Sequence, residues 1–474
     1  MNYEMVIGLE IHCELSTKSK IFCGCSTQFG NEPNTNVCPV CLGMPGVLSV
    51  LNETVVEYAV KAGLAMNCEI ARFSKMDRKN YFYPDLPKAY QVSQFDLPIC
   101  LGGYLDIEAD DEAYRIALTR IHIEEDAGKL THVADGSLVD YNRGGVPLLE
   151  IVTEPDIRSA AQAFAFAKTV RNILLYAGVS DCKMQEGSLR FDVNLSVRPE
   201  GQEAFGTRTE MKNLSSFRVL QKAIEYEYKR QIKVIEAGEK VVQETRRFDE
   251  SKGITYTLRS KENAHDYRYF PEPDLLPIVL SEDYIQNIKS NMPELPEEKR
   301  KRYIEKLALS EYDARVLTAS CELSTFFEDV LKYYDEAKTA ANWVLVELMA
   351  LVNQAEIELD EIKVTPEALA GLLNLIKAGQ LSGKMAKGVL EEMFSTGRDA
   401  QTIVKEKGLS QISDTAELEK IIDEVLSNNP ASVADYQGGK DKALGFLVGQ
   451  VMRQTKGAAN PKSVNEILLH KLKK

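Results

Sequence analysis

The first residues set a strict alternation. In Val6-Ile7-Gly8-Leu9-Glu10-Ile11-His12-Cys13-Glu14-Leu15, the residues Ile7, Leu9, Ile11, Cys13 and Leu15 fall on one side of an extended chain, and Glu10, His12 and Glu14 on the other. The period of two returns in Arg115 to Glu125, where Arg120, His122 and Glu124 share a face and Glu125 and Asp126 follow. It returns again in Gly187 to Arg198, where Leu189, Phe191, Val193, Leu195 and Val197 alternate with Arg190, Asp192, Asn194, Ser196 and Arg198. Thr207 to Lys212 is a further case, with Arg208, Glu210 and Lys212 together. These segments predict strands of an antiparallel sheet with one apolar and one polar face.

After Met292-Pro293-Glu294-Leu295-Pro296 the pattern becomes helical. Thr365-Pro366 reads as an N-cap and first helical residue, with Leu369, Leu372, Leu373 and Ile376 on one stripe up to Gly379. A second helix is expected from Ser382, with Met385, Val389 and Met393 on its apolar side, then a break around Gly397 to Lys407. The expectation is an α+β chain: a sheet domain over residues 1–293, a helical domain over 294–403 and a tail over 404–474.

Composition narrows the class. The chain has 474 residues, a formal net charge of −14 and 44% hydrophobic content, which suits a soluble globular protein of several domains. No apolar run reaches the roughly 18 residues of a membrane span, so no membrane partner is expected. Met1-Asn2-Tyr3-Glu4 runs straight into the first strand pattern, which makes the cytoplasm the expected location. The negative total argues against a generally cationic nucleic-acid coat. The charge is uneven, however: residues 431–474 hold eight Lys or Arg against three Asp or Glu, a local +5 that leaves −19 on the rest.

Four of the nine cysteines form Cys23-Gly24-Cys25 and Cys38-Pro39-Val40-Cys41, two close pairs separated by twelve residues. Such a knuckle can bring four thiolates to the corners of a tetrahedron around Zn²⁺; an iron–sulfur cluster is the alternative. With every position filled by sulfur the metal would be structural. Cys13, Cys68, Cys100, Cys182 and Cys321 are scattered and read as ordinary buried thiols.

Taken singly, each polar strand face is a solvated surface. Together they carry carboxylates, a histidine, arginines and a lysine, a set that suits Mg²⁺ or Mn²⁺ and the phosphates of a nucleotide. No glycine-rich phosphate loop of either common type occurs, so a sheet-and-metal architecture is expected to hold them.

Several longer motifs then become recognisable. Val6 to His12, Asp77-Arg78-Lys79-Asn80-Tyr81-Phe82-Tyr83-Pro84, His122 to Lys129, Asp140-Tyr141-Asn142-Arg143-Gly144-Gly145-Val146-Pro147-Leu148, Asp266 to Asp274 and Gly445 to Met452 closely resemble the B subunit of the tRNA-dependent amidotransferases, over essentially the whole chain. The resemblance implies a glutamine-synthetase-like antiparallel cradle that binds ATP and Mg²⁺, a helical domain, and a tRNA-binding tail. It also implies a glutaminase A subunit, a small C subunit and misacylated tRNA as partners, and a zinc site that only some members keep. Carried onto this sequence, it makes Glu10, His12, Glu124, Glu125, Asp192 and Glu210 candidate catalytic Mg²⁺ ligands, and Arg190, Arg208 and Lys212 candidate phosphate contacts. Lys79 and Lys88 become candidates for an ammonia path, with Glu125 near its exit. In the last third, Lys384 and Lys387 lie in the first turns of a helix, where cations oppose the helix dipole unless an anion is bound. Lys442, Gly449, Arg453 and Lys456 could share a face, and these lysines and Arg453 are the candidate tRNA contacts. Two other classes remain possible here: a ligase acting on a free amino acid, and a non-catalytic tRNA scaffold.

Overall fold

The computed structural model describes residues 2–260, 266–409, 415–438, 440, 442–455, 459 and 461–472. It divides into two compact units, Met1–Leu295 and Pro296–Lys474.

The first unit is built on a ten-stranded sheet. Its main strands are Tyr3–Glu14 (β1), Glu112–Glu125 (β2), Pro147–Thr153 (β3), Leu189–Pro199 (β4), Thr209–Leu214 (β5), Glu244–Asp249 (β6) and Ile254–Ser260 (β7). Their spatial order is β7-β6-β5-β4-β1-β3-β2, so β1 is central, paired antiparallel with β3 and β4. The alternation in β1 explains that place. Ile7, Leu9, Ile11 and Cys13 are all buried beneath helices Glu53–Ala65 (α1), Ala160–Tyr176 (α2) and Phe217–Glu236 (α3), in one apolar cluster with Val60, Phe166, Val170, Leu220 and Ile224. Each such aliphatic or aromatic side chain contributes about 1.5–3 kcal/mol on burial.

The sheet differs from the all-antiparallel expectation at one edge, where β5 and β6 run parallel. The physical reason is α3, which lies between them in sequence and provides the crossover that a parallel pair requires. Buried Glu227 of α3 accepts from the Thr209 and Thr255 hydroxyls at 2.8 Å each and from Arg230, tying the helix to β5 and β7.

The second unit is helical among its described residues. Thr365 caps Pro366–Lys377, and Ser382 caps Gly383–Thr396, each accepting a backbone N–H with its side chain. The expected break at Gly397 to Lys407 is shorter than that: Asp399 caps a helix, Ala400–Lys407, whose Ala400 and Ile403 join the apolar cluster of Leu369, Leu373, Val389 and Met393. Gly408, at φ +60°, ends that helix. A separate apolar cluster joins Leu418, Ile422 and Val425 to Leu447, Val451 and Leu468. Among the described residues no helix is long and apolar enough to cross a membrane.

Candidate active site on the polar face of the sheet

Strand register determines which polar side chains meet. Glu10 of β1 lies opposite Asp192 of β4, while His12 lies opposite Arg190 on one side and Glu150 of β3 on the other. Glu150 in turn lies opposite His122 of β2. Two groups result, each with ligand atoms within 4.8 Å of one another: Glu10, Asp192 and Glu210; and His12, Glu124 and Glu150.

The first group is braced by neutral donors and one cation. Asn194 donates to Glu10 at 2.8 Å, Thr245 to Glu210 at 2.9 Å and the Asn213 backbone N–H to Asp192 at 2.8 Å. The Lys212 ammonium stands 3.0 Å from both Asp192 and Glu210. Burial and then the charges of Glu150 and Asp192 raise the pKa of Glu10, whereas Lys212 is held charged against its own burial by Asp192, Glu210 and Glu10. In the second group His12 Nε2 is 3.5 Å from Glu124 and 3.6 Å from Glu150, and His122 Nε2 is 3.2 Å from Glu150. Burial would raise the Glu150 carboxyl, but His122, His12 and Lys79 together push it well below the usual range. Burial alone would discharge His12; Glu150, Glu124 and Asp192 reverse this and raise its pKa. Hard oxygens with one imidazole fit Mg²⁺ chemically.

Five of the six residues expected to bind metal therefore come together, and Glu125 does not. Its Oε1 accepts from Lys88 Nζ at 2.6 Å and from the Val92 N–H at 2.8 Å. The reason is parity: adjacent residues of a strand point to opposite faces, so Glu125 leaves the side that Glu124 occupies. Glu150 is the member that the sequence patterns do not single out. It is the lone carboxylate of Pro-Leu-Leu-Glu-Ile-Val-Thr, and an acid in a buried strand needs a partner, which is the one signal that points to it.

Among the expected phosphate contacts, Lys212 lies inside the first group. Arg190 is engaged instead by Asp126, at 2.9 Å, and stands 3.7 Å from Glu14. Burial and then the Asp126 charge lift the Glu14 carboxyl to about 8. Arg208 is exposed and precedes β5, which begins at Thr209 rather than Thr207, so pairing does not fix it on the polar face. Lys79 points toward Glu124 and Glu150, which keep it charged despite burial, and its Nζ lies 5.1 Å from the centre of the Tyr267 ring.

The knuckle stands apart from both groups. The sulfurs of Cys23, Cys25, Cys38 and Cys41 all lie within 4.8 Å of one another, and the Cys38 and Cys41 sulfurs are 3.9 Å apart. A tetrahedral site with bonds of about 2.3 Å has edges of about 3.8 Å, so the donor set fits Zn²⁺. The Cys38 N–H donates to the Cys41 sulfur at 3.2 Å, and the Cys41 thiol is drawn down to about 4 by its hydrogen bond with Cys23, then by the Cys38 backbone and the Lys20 charge. Cys13, Cys68, Cys100 and Cys182 are buried as expected, and Cys321 is half-buried.

In the second unit Lys384 and Lys387 are exposed on Gly383–Thr396, and Lys387 pairs with Glu347 at 2.7 Å. Lys442, Gly449 and Arg453 are exposed along Lys442–Gln454 at helical spacing, with Phe446 among them. Lys456 lies outside the described residues.

Comparison with known proteins identifies the family. Residues 5–286 match the family model described as the GatB/GatE catalytic domain, and residues 325–472 the one described as the GatB domain. The chain belongs to the GatB family. Proteins named as the B subunit of aspartyl/glutamyl-tRNA(Asn/Gln) amidotransferase are similar to it over its full length and theirs: 60% identical in Caldicellulosiruptor saccharolyticus, 59% in Thermoanaerobacter sp. and 57% in Geotalea daltonii. Both metal-capable groups of this family member lie within the residues matched by the catalytic-domain model.

Proposed function

We propose that the chain is the synthetic subunit of a tRNA-dependent amidotransferase. It uses ATP to activate the side-chain carboxylate of Glu-tRNA(Gln), Asp-tRNA(Asn) or both, and then directs amidation by ammonia released from glutamine in the A subunit, with a C subunit completing a heterotrimer. The observation that carries this reading is the placing of two metal-capable groups next to each other on one half-buried sheet face.

A carboxylate is a poor acyl donor, so one of its oxygens first attacks the γ-phosphorus and ADP leaves. Ammonia then attacks the acyl carbon and phosphate departs. Such chemistry asks for positioning and charge stabilisation more than for covalent help from the protein. Glu10, Asp192 and Glu210, and separately His12, Glu124 and Glu150, are the residues that would hold Mg²⁺. The metal supplies neutralisation of the phosphate oxygens. Lys212 is poised to turn from Asp192 and Glu210 toward a phosphate once a metal takes those carboxylates. Arg190 keeps Asp126 oriented, and Arg208 is a weaker candidate for a direct phosphate contact.

Ammonium cannot attack, so a proton must be removed before amidation. Glu125, with Lys88 hydrogen-bonded to it, is the proton acceptor on the ammonia path, and Lys79 continues that path toward Glu124. The four cysteines hold a structural Zn²⁺. Lys384, Lys387, Lys442, Arg453 and Lys456 form the tRNA-binding surface, and the cytoplasm is the site of action.

The test is ATP hydrolysis by the chain with its partner subunits, on Glu-tRNA(Gln), Asp-tRNA(Asn) and free glutamate. Cleavage stimulated by a misacylated tRNA and not by free glutamate is expected. Equal stimulation by free glutamate would replace this reading with a ligase for free amino acids, and no metal-dependent cleavage would replace it with a tRNA scaffold.

A further inference from the structure

Lys20 is among the largest fully buried side chains of the protein, with 1% of its surface exposed. A buried ammonium is costly unless an anion and hydrogen-bond acceptors surround it. Among the described residues no carboxylate pairs with it. Its Nζ donates to the Tyr141 carbonyl at 3.1 Å and to the Cys41 sulfur at 3.7 Å. Of these two acceptors only the Cys41 sulfur can carry a negative charge.

The surrounding backbone makes this a fixed arrangement. The Lys20 N–H donates to the Cys25 carbonyl at 3.0 Å, and the Ile21 N–H to the Gly145 carbonyl at 2.9 Å. Gly145, at φ +83°, is packed so that an added Cβ would lie 3.6 Å from Lys20 Cδ and 3.8 Å from Cys41 Cβ. The Gly145 N–H donates in turn to the Asp126 carbonyl at 2.9 Å, next to Glu125. On its other side the knuckle packs on Lys88: a Cβ added to Gly43 would sit 2.4 Å from Lys88 Cγ. Cys23 and Cys41 of the loop line one small cavity with both Lys88 and Glu125.

Four thiolates around Zn²⁺ leave a net charge of −2, and a cation hydrogen-bonded to one sulfur stabilises that dianion. We infer that Lys20 is a positioning residue for the four-cysteine site: its ammonium is the resident counter-charge of the metal-bound thiolates and fastens the knuckle to the Tyr141–Gly145 loop. This rests on the zinc reading above. It adds a partner outside the ligands, of the kind whose loss typically weakens a metal site about 10–100-fold.

The experiment uses the complete chain assembled with its partner subunits. Zinc content is measured first, then zinc affinity by competition with a chromophoric chelator, for the parent, Lys20→Met and Lys20→Arg. Methionine keeps most of the side-chain volume and removes the charge; arginine keeps the charge. The expected result is a fall of about 10–100-fold in affinity for Lys20→Met and partial recovery in Lys20→Arg. In the Co²⁺-loaded protein, loss of the hydrogen bond should also move the sulfur-to-cobalt charge-transfer band to lower energy. A parent without stoichiometric zinc would sink the zinc reading itself. A parent with zinc, and a Lys20→Met variant within twofold of it with an unmoved band, would overturn the role of Lys20 alone. If neither variant folds, acylation of the Lys20 amine in the parent decides: protection at least tenfold greater with metal than after chelation is expected, and equal reactivity overturns the inference.

Discussion

The polar face of the sheet and the exposed face of helix Lys442–Gln454 both present charge, and they do so in opposite ways. On the sheet the charged groups are buried or half-buried and already bonded within the chain: Lys212 to Asp192 and Glu210, Lys88 to Glu125, Arg190 to Asp126. On the helix, Lys442 and Arg453 are exposed, and among the described residues no carboxylate pairs with them. A buried paired set fixes geometry before a ligand arrives, as precise chemistry requires. An exposed set gains mostly from counterion release, which suits a long polyanion and tolerates variation in where each phosphate sits.

The contrast can be broken most severely at Glu150. Glu150→Ala removes a metal-capable carboxylate and leaves His122 without its partner, so tRNA-stimulated ATP cleavage should fall by more than about 100-fold, beyond the usual effect of an outer-shell change. Glutaminase activity of the partner should persist; ATP cleavage near the parental rate would remove Glu150 from the site. Glu210→Ala should act similarly through the neighbouring group.

A smaller and more selective effect is expected at Glu125. Glu125→Gln should slow glutamine-driven amidation by about 10²-fold or more, as for loss of a positioned proton acceptor, and should leave ATP cleavage much less affected. Concentrated ammonia at alkaline pH should restore part of the rate. Equal loss of both activities would return Glu125 to the metal set.

pH sharpens the same point. Since burial raises the pKa of Glu10, protons compete with a cation for that carboxylate at higher pH than for an exposed glutamate. Mg²⁺ affinity should therefore weaken as pH falls, and Glu10→Gln should flatten that dependence; a titration of affinity against pH checks it.

The weakest single effects belong to the helix. Arg453→Ala or Lys442→Ala should reduce tRNA affinity a few-fold, lower the salt slope by about one per charge and leave kcat at saturating tRNA unchanged. A variant with an unchanged salt slope would show that its side chain contacts no phosphate.

How much of this was legible in the sequence follows from the same physics. β1 and β4 could be read because one face is core and the other polar, so Ile7 to Cys13 and Leu189 to Val197 separate cleanly from Glu10, His12 and Asp192. β3 could not, because it is buried nearly throughout and its apolar run hides the register that sets Glu150 between His12 and His122. Parity alone would have separated Glu124 from Glu125. The parallel pairing of β5 and β6 is a property of how α3 packs and has no local signature. The caps at Thr365 and Ser382 were local, and were legible for that reason.

The central place of β1 also bears on how the protein is made. The strand holding Glu10 and His12 is synthesised well before both of its neighbours, β3 and β4. At about 5–20 residues per second, roughly 10–40 s pass before its second neighbour exists, and at least one edge of β1 stays unpaired for all of that time. During that interval the segment is a target for chaperones and for mispairing between nascent chains, so the strand that anchors the chemistry is also the one most exposed to error at the ribosome.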